Sequence, residues 1–100
     1  MKWFAWTNTS GNNAANAPDM TQSVINRLVI AMRDYNYMIL NGSFRQFQVA
    51  FGKYEVLKEL LIDNGHTVEM TTKVTYTETN SPRSIFTSLS VNGRKYMIPQ

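Results

Sequence analysis

The residues able to do chemistry are few, and their spacing limits what they can do. His66 is the single histidine among 100 residues. It follows Asn64-Gly65, a helix-stopping pair, where a strand is expected to begin. An imidazole can act as a general base or a zinc ligand, but both uses need ordered partners, and the sequence places none around it. There is no cysteine, which excludes disulfides, thiolate metal sites and cysteine nucleophiles. The acidic residues Asp19, Asp34, Glu55, Glu59, Asp63, Glu69 and Glu78 are dispersed. Glu55, Glu59 and Asp63 recur at four-residue steps and line one helical stripe, which can attract a cation or a basic partner or simply face water. No glycine-rich phosphate loop follows a strand. The expectation is a protein that is not an enzyme, with no catalytic, metal or cofactor-binding residues and no cofactor.

The cations allow a second kind of chemistry. Ten Lys and Arg against seven Asp and Glu leave a formal charge of +3, which permits nucleic-acid binding without demanding it. Two helical segments before a β-hairpin invite a winged-helix reading. Its recognition helix would be KYEVLKELLIDN, where Lys53 and Lys58 are outnumbered by Glu55, Glu59 and Asp63; a net negative helix suits a phosphate-lined groove poorly. A sheet face bearing Lys73, Lys95, Thr75 and the ring of Phe86 fits better, with one stacking platform among cations and hydroxyls. Arg83 and Arg94 stand at opposite ends of one strand, about 30 Å apart at the rise of extended chain, and cannot join one cluster.

Aromatic residues point to a third kind. Two Trp, five Tyr, five Phe and six Met are the residue types enriched at protein interfaces. Most belong to helical stripes and so to a core. Trp3, Phe4 and Trp6 differ. In a strand, Trp3 and Ala5 point one way and Phe4 and Trp6 the other. Such a strand is covered on both faces, or forms a homodimer contact, or binds another protein.

The elements that position these residues are read from periodicity. Residues 7–18, TNTSGNNAANAP, form an Asn-rich loop between the N-terminal strand and the first helix. Across 21–40, Val24, Ile25, Leu28, Val29, Met32, Tyr35 and Ile39 recur at three- and four-residue steps, which predicts a helix stopped at Asn41-Gly42. A second helix spans 43–64: Ser43 and Gln46 form a capping-box pattern, Phe47, Ala50, Tyr54, Leu57 and Leu61 form a stripe, and Asn64-Gly65 ends it. Phe47, Val49 and Phe51 also alternate around Gly52, so a hairpin at Asn41-Gly42 and a shorter helix from Lys53 stays open.

From His66 the period becomes two, and three strands follow, separated by turns at Asn80-Ser81-Pro82 and Asn92-Gly93. A two-residue turn sets Val91 opposite Arg94, Leu89 opposite Tyr96 and Thr87 opposite Ile98. A loop at 79–82 sets Tyr76 opposite Ile85, Val74 opposite Thr87 and Met70 opposite Val91. One face then carries Met70, Val74, Tyr76, Ile85, Leu89, Val91, Tyr96 and Ile98. The other carries Glu69, Thr71, Lys73, Thr75, Phe86, Ser88, Ser90, Lys95 and Met97.

The chain thus reads as one α+β domain over residues 1–100, in the order β-α-α-β-β-β, with two helices on one face of an antiparallel sheet. No apolar run reaches a membrane span or a signal-peptide core, and the expected location is the cytoplasm. The expected function is a protein-binding module acting by occlusion, of a kind common among phage and mobile-element proteins that inhibit host proteins. Its partner surface is expected among Trp3, Phe4, Trp6, Lys73, Phe86, Lys95 and Met97, or along the acidic stripe. Nucleic-acid binding through the Lys73/Lys95 face is the alternative, and a small enzyme or ligand-binding fold without a recognisable motif is the third.

Overall fold

The computed structural model describes residues 20–100, so the expected N-terminal strand with Trp3, Phe4 and Trp6, and the Asn-rich loop, lie outside the described residues. Helix α1 spans Met20–Asn41 and α2 spans Phe44–Asp63. Three strands follow, β1 (Val68–Tyr76), β2 (Pro82–Val91) and β3 (Arg94–Met97), in one antiparallel sheet of order β1-β2-β3. The class is α+β, with both helices contributing to one core on the sheet.

Local signals explain the helix ends. Ser43 Oγ accepts from the Gln46 amide at 3.2 Å, and Gln46 Oε1 accepts from the Ser43 amide at 2.9 Å, so two otherwise unpaired donors are satisfied reciprocally. At the other end Gly65 takes φ +87°, where a side chain would be strained. The Gly65 amide donates to Ile62 C=O and the His66 amide to Leu61 C=O, the paired bonds of a Schellman stop. Helix α2 runs unbroken through Gly52, so the hairpin alternative for 43–51 is corrected. The alternation of Phe47, Val49 and Phe51 is not a strand: Val49 projects from the helix into solvent, and Phe51 is partly covered by neighbouring rings.

The core joins Val24, Ile25, Leu28 and Met32 of α1 to Tyr54, Leu60 and Leu61 of α2 and to Phe86, Leu89 and Val91 of β2. The β2–β3 register is the expected one, with Val91 opposite Arg94 and Leu89 opposite Tyr96. Asn92 (φ 52°) and Gly93 (φ 86°) both lie in the left-handed region, the requirement of a type I′ hairpin turn.

The β1–β2 register departs from expectation in two ways. Tyr76 stands opposite Pro82 and not Ile85, three residues away, and Met70 stands opposite Leu89 and not Val91, two residues away. The turn closes over 77–81: the Thr77 amide donates to Ser81 C=O, Asn80 takes φ 61°, and the Thr77 hydroxyl accepts from the Thr79 and Ser81 amides. Side-chain bonds of this kind compete with ladder pairing and hold the turn closed. The second departure is a bulge. Thr71 pairs with Ser88 and Thr72 with Phe86, so Thr87 is an extra residue in β2. The Thr87 and Ser88 hydroxyls lie 2.7 and 2.6 Å from the Thr71 hydroxyl, and this polar cluster holds both residues against one partner.

The bulge inverts the alternation of β2. Phe86 turns to the helix side, where its ring lies 4.8 Å from that of Tyr35 and 4.9 Å from that of Tyr54. It is 8% exposed. Ile85, across from Lys73, alternates to the opposite face and is nonetheless buried, at 3% exposure. On the helix side, Val74 and Tyr76 were expected in the core and remain 61% and 64% exposed. The helical layer leaves that end of β1 uncovered.

Candidate functional site

The residues singled out by chemical type do not converge. His66 is an anchor between elements. Its Nδ1 lies 2.9 Å from Asn92 Nδ2 and its Nε2 lies 3.4 Å from Thr21 Oγ1. Asn92 Oδ1 accepts from the Thr67 amide, so the ring bridges the start of α1, the start of β1 and the β2–β3 turn. Glu55 pairs with Lys58 at 3.1 Å, and the Lys58 ammonium lies 5.1 Å from the centre of the Tyr54 ring. Glu59 and Asp63 are exposed farther along α2. Among the described residues, no three His, Asp or Glu side chains come together in a way that could hold a metal ion.

The sheet face away from the helices carries Lys73 across from Ile85, Lys95 across from Ser90 and Met97 across from Ser88. Lys73, Lys95 and Met97 thus share that face, as expected, and all three are exposed. Phe86 does not join them, and its place in the candidate partner surface is corrected. An unbulged strand would have shown its ring to solvent; the extra residue Thr87 turns it into the core. The sheet-face reading for nucleic acid loses the one ring on which a base would stack.

A further set of large exposed apolar groups lies at the end of the molecule where the α1–α2 turn meets the β1–β2 turn. Tyr76 lines a recess of about 440 Å³ with Leu40, Asn41 and the loop residues Thr77, Glu78 and Thr79. Tyr37 borders a neighbouring recess with Leu40 and Asn41. Phe44, 73% exposed, begins α2 just beyond the same turn. Phe51 follows on α2 and is held against Phe47 with ring centres 6.1 Å apart. Sequence periodicity missed this surface because it assigned Val74 and Tyr76 to the core and gave no role to Phe44.

Beneath this end, Tyr35 joins the rings of Phe47, Phe51, Tyr54 and Phe86 at centre separations of 4.8–6.2 Å. Burial pushes the Tyr35 phenol above its ordinary value, and the neighbouring Tyr54 adds to this. Burial also raises Tyr54, partly countered by the Lys58 ammonium. A phenol held protonated in the fold stabilises it fully at pH below the unfolded value of about 10, and that contribution is lost as pH rises through the higher folded value. Melting temperature should therefore stay level to about pH 10 and fall above it. Thermal melts across that range, followed together with phenolate absorbance, check this. Complete tyrosine ionisation before any loss of structure would contradict it.

No helix among the described residues is long and apolar enough to cross a membrane. No protein-family model, curated protein or solved structure matches the chain.

Proposed function

We propose that the protein is a non-enzymatic protein-binding module, and that its contact surface is the aromatic end formed by Phe44, Tyr37, Tyr76 and Val74. The observation that carries this reading is the exposure of these four large side chains, 60–73% each, at one end of the fold. Aromatic side chains at a surface supply most of the binding energy in protein interfaces, because they bury large area with little loss of conformational freedom. The recess beside Tyr76 gives the surface relief into which a partner side chain fits. Arg45 and Arg83 stand near this end against Glu78, while Arg33 is matched by Asp34 at 3.3 Å. The charge balance favours a partner whose apolar contact segment is flanked by Asp or Glu. Binding would act by occluding that segment from other uses.

The test places a photo-crosslinking residue at Phe44 and compares the adducts formed in nuclease-treated lysate with those of the Tyr76→Glu and Val74→Glu variants. The expected result is a discrete protein adduct, mapped to an acid-flanked apolar segment, that both substitutions abolish without altering the circular dichroism spectrum. An adduct that nuclease removes, or one that persists undiminished in both variants, refutes the proposal.

A further inference from the structure

A separate surface runs along the outer seam of the two helices, away from the sheet. It is a groove of about 690 Å³ lined by Arg27, Ile30 and Asp34 of α1 and by Val49, Gly52 and Val56 of α2, with Lys53 and Leu57 beside them. Ile30 is 48% exposed, and Val49 and Val56 are 57% exposed. Nothing lies within 4 Å of a Cβ built on Gly52. The helix pays the usual penalty for an interior glycine, while no contact within the described chain requires its small size.

The order of residues along this groove has a two-fold character. On α1, Arg27 and Asp34 are placed evenly about Ile30 and Ala31. On α2, Val49 and Val56 are placed evenly about Gly52 and Lys53. Both midpoints fall within the one groove. From this arrangement we infer that the helical seam is an isologous interface between two copies of this chain. A two-fold axis across the helices at the groove centre reverses each helix over its own copy. Arg27 then faces Asp34 of the other copy, twice, joining the Arg33 that already pairs with Asp34 at 3.3 Å, and Val49 faces Val56 of the other copy, twice. Ile30 meets Ile30 near the axis. Gly52 meets Gly52, and only a residue without a side chain lets the two α2 backbones approach there. Lys53 lies beside the axis, and its long stem carries the ammonium to solvent at the rim. The result is a four-helix bundle made from two helical hairpins, each keeping its sheet outside.

The occupant assigned is a second copy, because Arg27 and Asp34, seven residues apart in the middle of α1, complement each other under that symmetry. The interface is distinct from the aromatic end, so each copy of the dimer would present that surface independently.

Sedimentation equilibrium over micromolar to millimolar protein tests the inference. The wild type should dimerise. Arg27→Asp alone and Asp34→Arg alone should each weaken the dimer about a hundredfold, since each places two like-charge pairs in one interface. The double variant carrying both changes should regain dimerisation, and so should an equimolar mixture of the two single variants, as a heterodimer. Gly52→Leu should abolish the dimer while raising the helicity and melting temperature of dilute protein, an opposition that a purely structural role for this residue would not produce. A wild type that remains monomeric throughout overturns the inference. So does a dimer unaffected by the single charge reversals, or one that the paired reversal fails to restore. Circular dichroism of every variant separates loss of association from loss of fold.

Discussion

Replacing Asn36 by leucine should destabilise the protein by about 2–5 kcal/mol, although the two side chains have nearly the same shape. Asn36 is one of two buried polar residues described, and it lies on the core stripe of α1, four residues after Met32. Its Nδ2 donates to Phe86 C=O at 2.8 Å, and its Oδ1 accepts from the Phe86 amide at 2.8 Å. The need for this arises from the sheet. The β3 ladder closes with the Ile98 amide donating to Thr87 C=O, and beyond that point no third strand lies beside β2 among the described residues. The Asn36 amide supplies one donor and one acceptor in the geometry of a peptide group, and so does for Phe86 what a ladder partner would do. Leucine fills the volume but leaves both Phe86 groups buried without partners, each at a cost of about 1–3 kcal/mol. Urea unfolding with an unchanged denaturant slope would measure the loss. A change below about 1 kcal/mol would show that these two bonds contribute little beyond packing.

The second large effect separates two neighbouring apolar positions. Phe86→Ala should cost about 3–5 kcal/mol, whereas Val74→Ala should change stability by less than about 0.5 kcal/mol. Simple alternation of the strands gives the reverse order, with Val74 inside and Phe86 outside. The bulge at Thr87 is what reverses it. Phe86 packs between Tyr35 and Tyr54, so its removal opens a cavity where both helices meet the sheet. Val74 faces solvent and leaves no cavity. Equal effects at the two sites, or a larger one at Val74, would be incompatible with the bulged register. The polar cluster supports the same point: Thr71→Val removes the hydroxyl that lies within 2.7 Å of both Thr87 and Ser88, and so weakens what holds the extra residue in place.

The sequence by itself determined every feature that depends on a few adjacent residues. The capping box of Ser43 and Gln46 is contained in four positions, and its two bonds form wherever that turn of helix forms. Asn64-Gly65 stops α2 and Asn92-Gly93 turns the last hairpin because those residues tolerate the left-handed backbone at little cost. The apolar stripes of α1 and α2 and the two-residue period after His66 follow from the geometry of helix and strand. They were enough to give two helices and a three-stranded antiparallel sheet, and the β2–β3 register with them.

The tertiary structure alone decided how β1 meets β2. Register there is a competition between a loop of Thr, Asn and Ser that bonds to itself and two strands that can slide by whole residues. The outcome depends on hydroxyl contacts between positions 16 and 17 residues apart. That choice carried Phe86 into the core and left Val74 and Tyr76 at the surface, so the sheet face lost its expected ring and the helical end gained its aromatic patch. Asn36 shows the same division from the other side. It follows Leu28 and Met32 at four-residue steps, but as a polar residue it had no place in the apolar stripe read from the sequence. Its purpose was not legible there, because the backbone groups it satisfies belong to a strand 50 residues away and need a partner only where β3 has ended. A one-dimensional pattern records which side chains seek burial. It does not record which backbone groups will be left without a neighbour once the strands have found their register.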